Sequence, residues 1–189
     1  MSILKTKRLI LRDWSPSDRE PFARLNADPR VTEFLRGALT REESNSLADR
    51  IEAHFLQHGF GLCAAELCDG PGKNRGFIGF IGLAVPSFDA AFTPCVEIGW
   101  RLAADYWGRG LATEGAAEIV RYAFEDLKLP SLVSFTSSDN TRSCRVMEKL
   151  GMARDSAEDF DHPNLPEGHG LRRHVLYRLK RSKWLDRAK

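Results

Sequence analysis

The residues with the clearest chemical meaning form one short run, Trp107-Gly108-Arg109-Gly110-Leu111-Ala112-Thr113. Glycines without a Cβ let the backbone come close to a ligand. A helix predicted to begin near Gly110 offers unpaired N–H groups and the positive end of its dipole. Arg109 adds a fixed positive charge. Together these groups suit a dianionic pyrophosphate. Taken alone, the same run also serves as an ordinary Gly-rich strand-to-helix turn. Competing phosphate signatures fit worse. The chain has no G-x-x-x-x-G-K-[ST], and Gly108 and Gly110 are followed by Thr113 where a dinucleotide fold needs a third small residue.

Other reactive side chains offer less. Cys63, Cys68, Cys95 and Cys144 form no C-x-x-C pair, and ordinary reduced, mostly buried thiols are expected. His162, His169 and His174 cluster late in the chain without regular zinc spacing, so no metal is expected.

The run needs a strand before it and a helix after it. Residues 95–102 alternate, with Val96, Ile98, Trp100 and Leu102 on one face and Cys95, Glu97, Gly99 and Arg101 on the other. A helix over 110–127 buries Ala112, Ala116, Ile119, Val120, Ala123, Phe124 and Leu127. Upstream, 9–11 predicts a strand. Ser15 caps a helix opening at Pro16, with Asp18 in its first turn. Thr40-Arg41-Glu42-Glu43 has capping-box spacing before a second helical stretch ended by His58-Gly59. Strands over 60–67 and 77–85 flank a turn at 69–74, a hairpin. Downstream come a strand over 132–136, a helix capped by Asn140 and stopped by Gly151, and strands near 152–160 and 174–179. The order β, helices, βββ, α, β, α, ββ, without repeats or linkers, predicts a single α/β domain over 1–189.

Composition bounds the reading. A chain of 189 residues that is 42% hydrophobic closes one substantial core. A net charge of +2 gives no bulk drive toward nucleic acid. The first residues lack a signal-peptide core, and no run approaches the roughly 20 apolar residues of a membrane helix. A soluble cytoplasmic protein is expected. Arg172, Arg173, Arg178, Lys180, Arg181, Lys183, Arg187 and Lys189 make the C-terminal stretch basic against Asp186. A solvated strand edge and tail is favoured there over contact with an acidic partner or RNA.

The chain resembles the GNAT superfamily of N-acetyltransferases. Their [Arg/Gln]-x-x-Gly-x-[Gly/Ala] signature is matched by Gly110 and Ala112, with Trp107 departing at the first position. That variant is similar to the ribosomal-protein N-terminal alanine/serine acetyltransferase branch. So are Thr6-Lys7-Arg8-Leu9-Ile10-Leu11-Arg12, Glu97-Ile98-Gly99-Trp100-Arg101-Leu102, and Asn140-Thr141-Arg142-Ser143 leading to Glu148-Lys149-Leu150-Gly151. Asp161-His162-Pro163 and Leu171-Arg172-Arg173-His174-Val175 are similar to it as well.

The resemblance implies a splayed, mostly antiparallel central sheet flanked by helices, with acetyl-CoA as cosubstrate. It places CoA on backbone groups of Trp100, Arg101 and Leu102, on Gly108, Arg109, Gly110, Leu111, Ala112 and Thr113, and on Asn140 and Ser143. Glu97 is then the candidate base for the amine, against a surface carboxylate paired with Arg101. Ser143 is implied as the donor to the departing thiolate, against a plain helix first-turn hydroxyl. The acceptor is a primary amine, implied to be a protein N-terminus. Amino acids, polyamines and antibiotics stand as alternatives, with 36–57 and 157–173 as acceptor-side segments. Here His162 or His169 would line the acceptor cleft. A non-catalytic CoA sensor and a nucleic-acid-binding accessory factor are the competing classes. The sequence leaves monomer or homodimer open.

Overall fold

The computed structural model describes residues 3–68 and 74–187. All of the expected turn at 69–74 except Asn74 lies outside them. The chain resolves into two compact units. The first holds the residues up to Ala84 together with Gly99–Ile119, and the second holds Val85–Ile98 with the residues from Val120 onward.

In the first unit β1 (Leu4–Lys5), β2 (Leu9–Arg12), α1 (Arg19–Ala27), α2 (Pro29–Thr32) and α3 (Arg41–His58) precede the hairpin of β3 (Leu62–Cys68) and β4 (Asn74–Ala84). Strands β1 to β4 are neighbours in chain order and antiparallel. The last four residues of β5 (Glu97–Leu102) lie beside β4, with the Ala103 N–H donating to the Ile78 carbonyl at 2.9 Å. Gly79 permits this approach. Its φ is +141°, and a Cβ there would stand 2.1 Å from the Arg101 carbonyl oxygen.

The helices start where the caps require. Before α1, the Ser15 N–H donates to the Asp18 carboxylate at 2.8 Å. At α3 the Thr40 N–H donates to Glu43 and the Glu43 N–H returns to Thr40 Oγ1. Gly59 ends α3 in the left-handed region. Phe22 and Leu25 of α1 meet Ala48 and Ile51 of α3 over Phe80 of β4, forming the apolar core of this face. Arg12 ties β2 to the start of α1, donating at 2.6 Å to both Asp18 and Glu66. Helix α4 (Leu111–Arg121) lies against the sheet with Gly115 closest, where a Cβ would meet Ile81 at 2.4 Å and Leu9 at 3.1 Å.

In the second unit the sheet order is β5, β6 (Ser131–Ser137), β9 (Arg173–Lys180), β7 (Ala153–Arg154). The short β8 (Phe160–Asp161) pairs with β9. β5 and β6 are parallel and register at Glu97↔Val133 alone, while β6, β7 and β8 all meet β9 antiparallel. Helix α5 (Thr141–Lys149) starts at its Asn140 cap. The sheet is thus mostly antiparallel with helices beside it, the mixed α/β class expected.

Three expectations are corrected here. The strand near 152–160 is broken into β7, a 3₁₀ turn over Ser156–Glu158, and β8, because Asp155 caps the turn through the Ala157 N–H. The basic stretch is not a sheet edge, since β9 lies between β6 and β7. Its continuation is helix α6 (Arg181–Arg187) rather than a tail, anchored by Trp184 against Phe124 at 5.6 Å and by the Arg181 guanidinium on the Phe124 carbonyl. The helix expected over 110–127 changes pitch, running as α-helix to Arg121 and as a π turn over Tyr122–Asp126.

Candidate active site

In the first unit the run at 107–113 is shaped by its glycines. Gly108 and Gly110 have φ of +71° and +75°. That region is costly for residues with a Cβ. No neighbour crowds either position. A Cβ on Gly108 would have nothing within 4 Å, and one on Gly110 only Arg8 Nη2 at 3.8 Å. The need for glycine is therefore conformational, and space is left above the loop. The Gly110 carbonyl accepts from the Glu114 N–H, so the helix starts there. The N–H groups of Leu111, Ala112 and Thr113 consequently have no acceptor inside the helix. Arg109 is exposed, with its guanidinium 5.8 Å from the centre of the Tyr106 ring. Trp107 Nε1 donates to the Leu102 carbonyl at 2.8 Å, tying the loop to the end of β5. That bond occupies one of the strand groups expected to face CoA.

The loop is braced from the segment at 6–12, whose residue types alone suggested no such role. Glu114, in the first turn of α4, accepts from Thr6 Oγ1 at 2.6 Å, from the Arg8 N–H at 2.8 Å and from Arg8 Nε at 2.7 Å. The same guanidinium donates through Nη1 to the Arg109 carbonyl at 2.9 Å. Burial opposes ionisation of Glu114, yet the bonds from Thr6 and Arg8 prevail and hold it below the usual range. The only sequence signal for this brace was a Thr and an Arg two apart just before β2.

Arg101 and Asn26 make a second polar group in this unit. Arg101 Nη1 donates to Asn26 Oδ1 at 2.7 Å, and Asn26 Nδ2 donates to Ser44 Oγ at 2.9 Å. The alternative to a base role for Glu97, a carboxylate paired with Arg101, is not what Arg101 shows: its partner is a neutral amide on α1. Trp100 is half-buried and Leu102 is buried.

The second unit carries Glu97, Asn140 and Ser143. Glu97 opens β5, and its carboxyl group makes no hydrogen bond or ion pair among the described residues. Burial alone pushes its carboxyl up to about 8. Asn140 uses both ends of its amide, accepting from the Ser143 N–H at 3.2 Å and donating to Thr136 Oγ1 at 2.9 Å. It serves as the helix cap expected of it. The Ser143 hydroxyl is half-buried and has no hydrogen-bond partner among the described residues.

Burial makes the thiols of Cys63, Cys95 and Cys144 poor nucleophiles. None of the four is in a disulfide; Cys63 is buried and the other three are half-buried. Burial pushes Cys63 up to about 12, and burial with the Glu97 charge pushes Cys95 up to about 11. Among the described residues no group of three or more His, Cys, Asp or Glu side chains is placed to hold a metal ion. His162 and His174 stand 5.0 Å apart among Phe88, Phe135 and Phe160, and burial holds His174 below the usual imidazole range. No helix among the described residues is long and apolar enough to cross a membrane.

The family model for the acetyltransferase (GNAT) domain matches residues 8–153. The FsC-acetyl coenzyme A-N(2)-transacetylase of Aspergillus fumigatus is 31% identical, over 98% of this chain and 79% of that protein. A solved acetyltransferase from Agrobacterium tumefaciens is 28% identical with a TM-score of 0.73, covering 95% of this chain and 94% of its own. The spermidine N-acetyltransferase of Vibrio cholerae, solved with CoA and spermine, shares the fold at a TM-score of 0.71 and 16% identity, over 95% of this chain and 99% of its own. The chain belongs to the GNAT acetyltransferases. It is an N-acetyltransferase that uses acetyl-CoA as cosubstrate.

Proposed function

We propose that this chain moves the acetyl group of acetyl-CoA to a primary amine of a small molecule by direct attack, with residues 1–189 acting as one catalytic domain. The observation that carries the reading is the braced loop at 107–113. It combines two glycines in the left-handed region, open space above them and three helix N–H groups without internal acceptors. A pyrophosphate needs those features, and Arg109 supplies a counter-charge at the rim. The backbone of Trp100 and Arg101 is assigned to the pantetheine arm. Strand β5 registers with β6 only at Glu97↔Val133, which supports that assignment.

The chemistry follows from the residues at hand. The amine lone pair attacks the thioester carbonyl carbon, the C–S bond breaks, and the amine proton passes to the Glu97 carboxylate directly or through water. A carboxyl with its pKa raised to about 8 matches an α-amine with a pKa near 8, so transfer between them is nearly isoenergetic. Ser143 is assigned as hydrogen-bond donor to the departing thiolate, and its uncommitted hydroxyl supports this. Asn140 is assigned to CoA through the second proton of its Nδ2. Holding the two substrates together supplies much of the acceleration.

A small-molecule acceptor is favoured because the 31% identical relative is named for transfer to FsC at N(2). A protein N-terminal amine is the second reading, supported by the segments at 6–12, 97–102 and 140–151 that resemble the ribosomal-protein branch. Mass spectrometry of amino acids, polyamines, aminoglycosides and N-terminal peptides incubated with the protein and acetyl-CoA tests the choice. Mono-acetylation of a small amine supports the first reading. Acetylation confined to peptides overturns it in favour of the second.

A further inference from the structure

Arg101 has a side chain that the proposed chemistry leaves without a task. Its guanidinium is directed from β5 toward Asn26 of α1, whose amide is in turn fixed by Ser44 of α3. Asn26 and Ser44 are both fully buried. The Phe80 ring lies with its centre 5.3 Å from the guanidinium carbon. A guanidinium has five N–H donors. This one donates to a neutral amide oxygen, and no carboxylate pairs with it among the described residues.

Arg101 is half-buried, and a partly desolvated cation without a counter-ion is costly, since buried charges are ordinarily paired. The burial is felt by the group itself, whose pKa is pulled down to about 10, still protonated at neutral pH. The contrast with the rest of the unit is informative. Arg8 meets Glu114, and Arg12 meets Asp18 and Glu66, so these neighbouring arginines are neutralised by carboxylates. The orientation matters too. Asn26 and Ser44, which hold Arg101, belong to α1 and α3, not to the loop at 107–113 that is assigned to CoA.

We propose that Arg101 recognises an anionic group on the acceptor, so that the substrate is an amine that also carries a carboxylate. Phe80 backs the guanidinium and the Asn26–Ser44 pair holds its plane, leaving the remaining N–H donors to grip both carboxylate oxygens. This rests on the acetyltransferase reading above and names the substrate class for it.

The test uses the whole protein with acetyl-CoA and matched acceptor pairs: amino acids, β-alanine and 4-aminobutyrate against their amides. The readout is the ratio of kcat/KM between carboxylate and amide within each pair, which a general loss of folded protein does not move. Wild-type protein should favour the carboxylate member of at least one pair by roughly tenfold to a hundredfold, the range of a charge-assisted contact. Arg101→Gln should bring that ratio to about one. Asn26→Asp, nearly isosteric, places a carboxylate against Arg101 and should collapse the ratio in the same way while keeping the side chain in place. Amides used as well as carboxylates by the wild type, or a ratio that survives both substitutions, would overturn the assignment and leave the acetyltransferase intact. No turnover on any amine would overturn the acetyltransferase reading, and the acceptor assignment with it.

Discussion

Replacing Glu97 with glutamine should remove activity and add stability, with the gain dependent on pH. The wild-type carboxyl has its pKa raised from 4.5 to about 8 by burial, with no cation to offset it. In the unfolded chain it ionises near 4.5, so the unfolded state gains from deprotonation before the folded state does. The sign is therefore fixed. Wild-type stability is unaffected by this group below about pH 4.5 and falls as pH rises from there to about 8, where the loss levels off. Each tenfold change in the ionisation constant is worth about 1.4 kcal/mol, which sets a ceiling of about 5 kcal/mol. The side chain retains some solvent contact, so about 2–5 kcal/mol is the working range. Glutamine is neutral throughout and escapes the penalty. Urea unfolding of both proteins at several pH values from about 4.5 to about 8.5 measures the difference directly. Carboxylates held low by arginines, such as Asp18 and Glu114, act in the opposite sense but equally in both proteins, and cancel. A stability difference that does not change with pH would refute the burial argument for Glu97.

Further outcomes follow from the same site. Wild-type kcat/KM should rise with pH through about 8 as Glu97 and the amine lose protons, and a flat profile would remove Glu97 as the base. Gly110→Val forces a β-branched residue to a φ of +75°. It should weaken CoA binding by roughly fivefold to a hundredfold by calorimetry, given a strain of about 1–3 kcal/mol; unchanged affinity would contradict the pyrophosphate assignment. Arg8→Met leaves Glu114 half-enclosed without its cation and frees the Arg109 carbonyl. It should lower CoA affinity several-fold and cost about 1–3 kcal/mol of stability in urea titrations, whereas loss of stability without loss of affinity would make the brace purely structural. Ser143→Ala should reduce kcat with little change in CoA affinity, and equal kcat in both proteins would make Ser143 a first-turn hydroxyl only.

Much of this was legible in the residues. The capping box at Thr40 and Glu43, the glycine that ends α3 and the alternation of β5 were each written in residue types whose local physics has few solutions. The loop at 107–113 was readable because positive φ demands glycine. Pairings that close over long sequence separations were not. Thr6 and Arg8 meet Glu114 more than a hundred residues away, and Arg101 reaches Asn26 across 75 positions. Nothing in the spacing of Glu97 and Arg101 shows that Arg101 turns instead to α1, because that choice depends on where α1 packs. The strand near 152–160 failed for a local reason. Asp155 offers its side chain to the backbone two residues on, which competes with the ladder. Helix α6 was hidden by its charge, with Trp184 as its only large aromatic anchor.

The central claim is direct transfer from acetyl-CoA to an amine, with no acetylated protein on the way. The measurement that tests it most directly is release of free CoA thiol, with and without amine, alongside the intact mass of the protein. The account predicts release that saturates in both acetyl-CoA and amine, negligible release without amine, and an unmodified protein mass throughout. This agrees with thiols raised to about 12 at Cys63 and about 11 at Cys95. A burst of thiol in the absence of amine, matched by one acetyl group on the protein, would contradict it.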